Sequence, residues 1–233
     1  MMIRAKFGIW ALLVSVVCWP PSAAAAATPN QLGNAKISLK TVMDAAYSKV
    51  DCRRLIGAAE RRHRIQAQLL SAIALTESGR WMVETGAIIA WPWTVYAQGE
   101  GNFHPNQAAA SAAVKHLRAR GVTNIDVGCM QINLQYHAEA FPDAETALTP
   151  GRNIDYAADL LRRLYNKHHS WLQAVAYYHS ATKSLNIPYR RKVMARWYKE
   201  RTWAINERRR LVQAAYNRRR VGQNKRIKSS GFK

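Results

Sequence analysis

Residues 69–81, LLSAIALTESGRW, put a carboxylate where a helical pattern asks for an apolar side chain. Leu70, Ile73, Ala74 and Glu77 follow the i, i+3, i+4, i+7 spacing of one helix face, so Glu77 extends an apolar stripe. Gly79 reads as the left-handed residue that closes the helix, which places Glu77 in its last turn. The negative end of the helix dipole and desolvation both disfavour the ionised carboxylate there. A carboxyl that keeps its proton near neutral pH can act as a general acid. A buried glutamate held by backbone amides or an arginine fits the same stretch, and these residues alone leave both readings open.

Working outward, the chain has 233 residues, room for one ordinary domain with tails. It opens with Arg4 and Lys6, then an apolar run from Phe7 to Trp19, a proline break and an alanine tract. This is the pattern of an export signal over residues 1–27, and the run is short for a membrane span. Cys18 is expected to leave with it. Residues 28–47 form a linker and the approach to the first helix, and export predicts the periplasm as destination.

Cys52 and Cys129 then remain in a compartment that permits disulfides, and a bridge between them is expected. It closes a long loop and, on chain entropy, adds about 4 to 5 kcal/mol before strain. Two thiols without CxxC spacing do not resemble a zinc site, and neither a metal nor a cofactor is expected.

The net charge is +21, and residues 189–233 hold 16 Lys and Arg against two Glu. Such a tail seeks anions. Export favours stem-peptide carboxylates, lipid phosphates or an acidic component of a secretion or flagellar apparatus, and disfavours nucleic acid. A solvated tail that only aids solubility is the alternative.

The elements between read as helices: one through VDCRRLIGAAERRHRI (50–65), one through PNQAAASAAVKHLRARG (105–121), and one opened by Pro150 with the stripe Ile154, Ala157, Ala158, Leu161 and Tyr165. Another follows over SWLQAVAYYHSA (170–181), capped by Ser170. A basic helix is expected from Pro188, fraying into a disordered end. Only GAIIAWPWTVYAQGEGNFHP (86–105) breaks the pattern, with β-branched and aromatic residues and a turn at QGEG. Trp91, Trp93 and Tyr96 there either offer flat faces to sugar rings or roof the core.

Three segments stand in one order: ALTESG (74–79), DVGCMQIN (126–133) and AVAYYHSA (174–181). Together they resemble the catalytic domain of soluble lytic murein transglycosylases, the goose-type lysozyme-like family, over about residues 50–185. The resemblance implies a mainly α, lysozyme-like domain over residues 48–187 with a small β-hairpin or extended loop, followed by a basic helix and tail at 188–233. It implies a monomer acting on peptidoglycan strands. Glu77 becomes the catalytic acid and base, and Ser78 a residue that bonds near the substrate or orients the acid, or else a plain helix-end residue. Gly128, Met130 and Gln131 become the cleft lining, with Met130 equally readable as core. The Tyr178 hydroxyl is directed at the glutamate, or Tyr178 is a core tyrosine. The chain departs from the family pattern at Cys129, which replaces a Leu and, if paired with Cys52, pins the motif loop to the first helix. It departs again at His179, which stands for an Asn. A second carboxylate, Asp126 or Glu84, would be needed for hydrolysis instead.

Overall fold

A computed structural model of the chain describes residues 52–83 and 85–230, with the backbone alone for 224–230. The expected signal peptide, the linker and Glu84 lie outside the described residues.

The first helix, α1 (Cys52–Arg62), leads through a tight connection into α2 (Leu69–Glu77). α2 has no side-chain cap of its own: Gln68, at its N-terminus, is left-handed (φ 67°) and makes no capping bond. The cap comes from α1, where the buried Glu60 carboxylate accepts bonds from the backbone N–H of Gln68 (2.9 Å), Leu70 (3.0 Å) and Ser71 (3.2 Å). An anion at the positive end of a helix satisfies donors that the helix leaves free. Burial nevertheless holds the Glu60 carboxyl above its ordinary range.

Every residue of α2 from Leu69 to Leu75 is buried. A helix apolar all round belongs at the centre of a fold rather than on its flank, so the one-sided stripe expected from spacing is here a whole cylinder. It packs against α1, α7 (Lys183–Ser230) and the first hairpin, and shares one core with α5 (Pro150–His168) and α6 (Trp171–His179). Ile56, Leu70, Ile73, Ile154, Leu161, Val175 and Val193 make up much of this core, each contributing on the order of 2 kcal/mol by burial.

The hairpin β1 (Gly79–Met82) and β2 (Ala87–Ala90) starts two residues after Glu77, with Gly79 paired to Ala90. Gly79 is not the left-handed closure expected. It belongs to the strand, and a Cβ there would sit 2.2 Å from the Leu75 carbonyl oxygen.

A second sheet, ordered β4-β3-β5-β6, joins β3 (Thr94–Ala97), β4 (Glu100–Phe103), β5 (Ile125–Val127) and β6 (Ile132–Asn133), all antiparallel. Gln98 and Gly99 between β3 and β4 both have positive φ, the mark of a primed two-residue turn, so the turn at QGEG stands where expected. The region carries more strand than one hairpin, because β5 and β6, from the motif segment, complete the sheet. Trp91 and Trp93 are buried and roof a second core with Val95, Val114, Ile125, Val127 and Leu148; only Tyr96 of the three aromatics stays exposed. α3 (Gln107–Ala119), capped by Asn106, and the short α4 (Ala144–Ala147) cover this core. The mainly helical, lysozyme-like architecture with small antiparallel sheets is thus as expected from the resemblance.

The C-terminal helix differs. α7 begins at Lys183, takes Pro188 inside it and continues to Ser230. Packing accounts for its near half: Tyr189, Val193 and Trp197, four residues apart, are buried on the main core, and the Trp197 Nε1–H donates to the Ala67 carbonyl (2.9 Å). Contacts of this kind outweigh the ladder bond lost at one proline.

Candidate active site

Glu77 ends α2 and keeps part of its surface open. Burial pushes its carboxyl up to about 7, and the nearby charge of Asp126 acts in the same direction. A hydrogen bond from Tyr189 and the charge of Lys192 oppose this and are outweighed.

The side chain that holds the carboxyl is Tyr189 of α7, whose hydroxyl donates to Glu77 Oε1 at 2.5 Å. Tyr178 does not reach it: its hydroxyl donates to the Met130 carbonyl at 2.9 Å. The bond to the carboxyl that the resemblance implies for Tyr178 is made by Tyr189. The available signal was the Tyr189, Val193, Trp197 spacing, which puts a phenol on the buried face of α7. Both phenols lie well above their ordinary range through burial and the Glu77 charge, so each stays a protonated donor.

His179 stacks flat on the Tyr189 ring, with centroids 4.4 Å apart and planes 8° apart. Burial and Lys192 lower its pKa, which favours the neutral ring. It supports the phenol from the side.

The GCMQ turn is built from beneath. Gly128 has φ 84°, and a Cβ on it would come within 2.6 Å of the Asn153 side chain, so glycine is required by the fold at this point. The buried Asn153, on the apolar stripe of α5, accepts from Met130 N (2.9 Å) and donates to the carbonyls of Val127 and Ala147 (3.0 Å each). It was missed, although an asparagine four and eight residues before Ala157 and Leu161 is a visible break in the stripe. Met130 is fully buried, part of the core and no cleft wall.

Ser78 is buried too, and its hydroxyl lies 2.6 Å from the Cys129 carbonyl and 3.2 Å from that of Ala74. It ties the end of α2 to the motif turn. Cys129 is in turn joined to Cys52 by a disulfide, which fastens the same turn to α1 as expected. Gln131, half-buried and left-handed (φ 47°), donates through Nε2 to the carbonyls of Gly128 (3.0 Å) and Thr94 (3.2 Å). Its Oε1 has no donor among the described residues.

Asp126 stands on β5 opposite Asn133, whose Nδ2 donates to its carboxylate at 2.7 Å. Burial raises its pKa despite that bond. Chemically, then, the site offers one proton-bearing carboxyl held by a neutral phenol, a second carboxylate close enough to be felt, and one cation, Lys192.

Residues 93–196 fit the family model described as the transglycosylase SLT domain. The matched segment takes in Asp126, the 128–131 turn, Tyr178, His179, Tyr189 and Lys192, and begins beyond Glu77 and Ser78. No curated protein and no solved structure matches the chain.

Proposed function

The chain carries a transglycosylase SLT domain, the domain of lytic transglycosylases that cut peptidoglycan by a lyase-type reaction, and on that premise we propose that Glu77 is its single acid and base. The observation that carries this reading is the Tyr189–Glu77 bond on a carboxyl pushed up to about 7. A phenol fixes the rotamer without adding a positive charge that would strip the proton away.

Glu77 protonates the oxygen linking N-acetylmuramic acid to N-acetylglucosamine. The carboxylate left behind then takes the proton of the muramoyl 6-hydroxyl, which closes on its own anomeric carbon. The product is a 1,6-anhydro end, and the attacking group needs no separate positioning because it is tethered. Gln131 Oε1 is the acceptor available to a sugar amide. Ser78 and Tyr178 hold the turn through the Cys129 and Met130 carbonyls, Gly128 lets it pass close over Asn153, Met130 anchors it in the core, and His179 supports Tyr189.

The field of Asp126 at Glu77 supports one rival, hydrolysis by water with Asp126 assisting. Mass spectrometry of digested sacculi separates the two, since the anhydro product is lighter by one water. Glu77→Gln is expected to abolish solubilisation of sacculi. Retained activity would instead favour a different acid, and wall binding without cleavage by the unaltered protein would favour an assembly module.

Export by residues 1–27 sets this activity in the periplasm. The exposed basic end of α7 is the element available to an anionic envelope surface or to an acidic component of a secretion or flagellar apparatus.

A further inference from the structure

α7 carries a second stripe beside the buried one. Lys192, Arg196, Lys199 and Trp203 follow at spacings of four, three and four, so they share one face. Opposite them stand Trp81, Gly86, Ala87 and Ile88 of the first hairpin, with Arg53 of α1 completing a groove of about 610 Å³. That volume falls in the range of built ligand sites. Its two tryptophans, Trp81 and Trp203, are 59% and 52% exposed, large apolar faces turned to solvent.

The charge in the groove is one-sided. Among the described residues that line it, four cations meet one carboxylate, Glu200, which lies 4.0 Å from the Arg53 guanidinium. Arg53 also sits over the Trp203 ring, 4.6 Å from its centroid. Among the described residues, Lys192, Arg196 and Lys199 enter no ion pair. Like charges gathered around a concave surface repel one another, and an anion placed between them removes that cost and is drawn in by the focused field.

One residue links the groove to the candidate active site. Lys192, at its near end, is the cation whose charge acts on Glu77, and it lies one turn from Tyr189 on the same helix. We propose that this groove binds the carboxylate-bearing stem peptide of the glycan strand held at Glu77. This rests on the reading of Glu77 above: the peptide hangs from the muramoyl sugar, so cleavage beside that sugar brings the peptide to the nearest flanking surface. The cations match its carboxylates, and the tryptophan walls match its methyl groups and backbone. A two-walled groove suits an extended peptide better than the flat headgroup layer of a membrane.

The stem peptide has no glycosidic bond, so the mature wild-type protein serves for the test. It is titrated with stem peptide released from sacculi by an amidase, followed by tryptophan fluorescence and calorimetry. Saturable binding is expected, weakened at least tenfold by Arg196→Glu with Lys199→Glu and also by amidating the peptide carboxyls, which needs no variant. Arg208→Glu with Arg209→Glu, an equal charge change farther along α7, is expected to alter binding less than twofold. Equal losses in the two double variants, indifference to amidation, or absence of binding would overturn the proposal. So would a groove variant that keeps the peptide and loses only phosphatidylglycerol vesicles. Glu77→Gln on sacculi tests the catalytic reading separately, so failure of one is told apart from failure of the other.

Discussion

The Tyr189 hydroxyl lies 2.5 Å from Glu77 Oε1 across 112 residues of chain, joining the end of the central helix to the C-terminal one. Because this bond favours the ionised carboxylate, Tyr189→Phe should raise the Glu77 pKa further. The high-pH limb of the rate profile should move upward while the rate falls about tenfold, the worth of one hydrogen bond of about 1.4 kcal/mol. Tyr178→Phe, which loses a bond to the Met130 carbonyl instead, should leave the limb in place. Initial rates of sacculus solubilisation against pH check both.

A general acid with a pKa of about 7 works while protonated, so the wild-type rate should fall as pH rises through about 7. The same shift has a cost in stability. Between the unfolded value of 4.5 and about 7, the unfolded chain gives up a proton that the native state keeps, and stability declines with rising pH. Glu77→Gln removes this loss. It should be more stable than wild type at pH 8, by about 3 kcal/mol in unfolding free energy, with the difference shrinking toward pH 4.5. Urea titrations at the two pH values measure it.

Asn153→Ala should destabilise the fold by about 3 kcal/mol, since it leaves the Met130 amide and the carbonyls of Val127 and Ala147 without their partner. Asn153→Asp should be no rescue, because a carboxylate cannot donate to the two carbonyls. Denaturant midpoints decide.

Reducing the Cys52–Cys129 bridge opens a 77-residue loop in the unfolded state. The expected loss is at most about 4.5 kcal/mol. Unfolding with and without reductant reads it directly, and Cys52→Ser should show the same loss without reductant.

Local signals were legible where one rule acted alone. Ser170 caps α6 by accepting from Gln173 N, the QGEG turn closes a hairpin, and Ile154, Ala157, Ala158 and Leu161 line the core. Spacing misled where a residue answered to a distant neighbour. Nothing in the stretch around Glu60 marks it as the cap of α2 that it becomes. Pro188 looks like a helix start, but the packing of Tyr189, Val193 and Trp197 holds it inside α7. The order of motifs singled out Glu77 and the 128–131 turn. It could not say which phenol would arrive at the carboxyl, because that depends on how α7 crosses α2. Nor could it show that Ser78 and Met130 are buried, since burial on all sides of α2 is a property of the assembled fold.

That crossing also sets a schedule. Helices form locally and early, whereas contacts between remote stretches close late, and the acid meets its phenol only when residue 189 has been synthesised and α7 has docked. On refolding, helical ellipticity should therefore return before activity does. On the proposed reading of Glu77, a chain that has emerged only as far as residue 188 lacks the phenol that holds its acid, and full activity waits on the docking of α7.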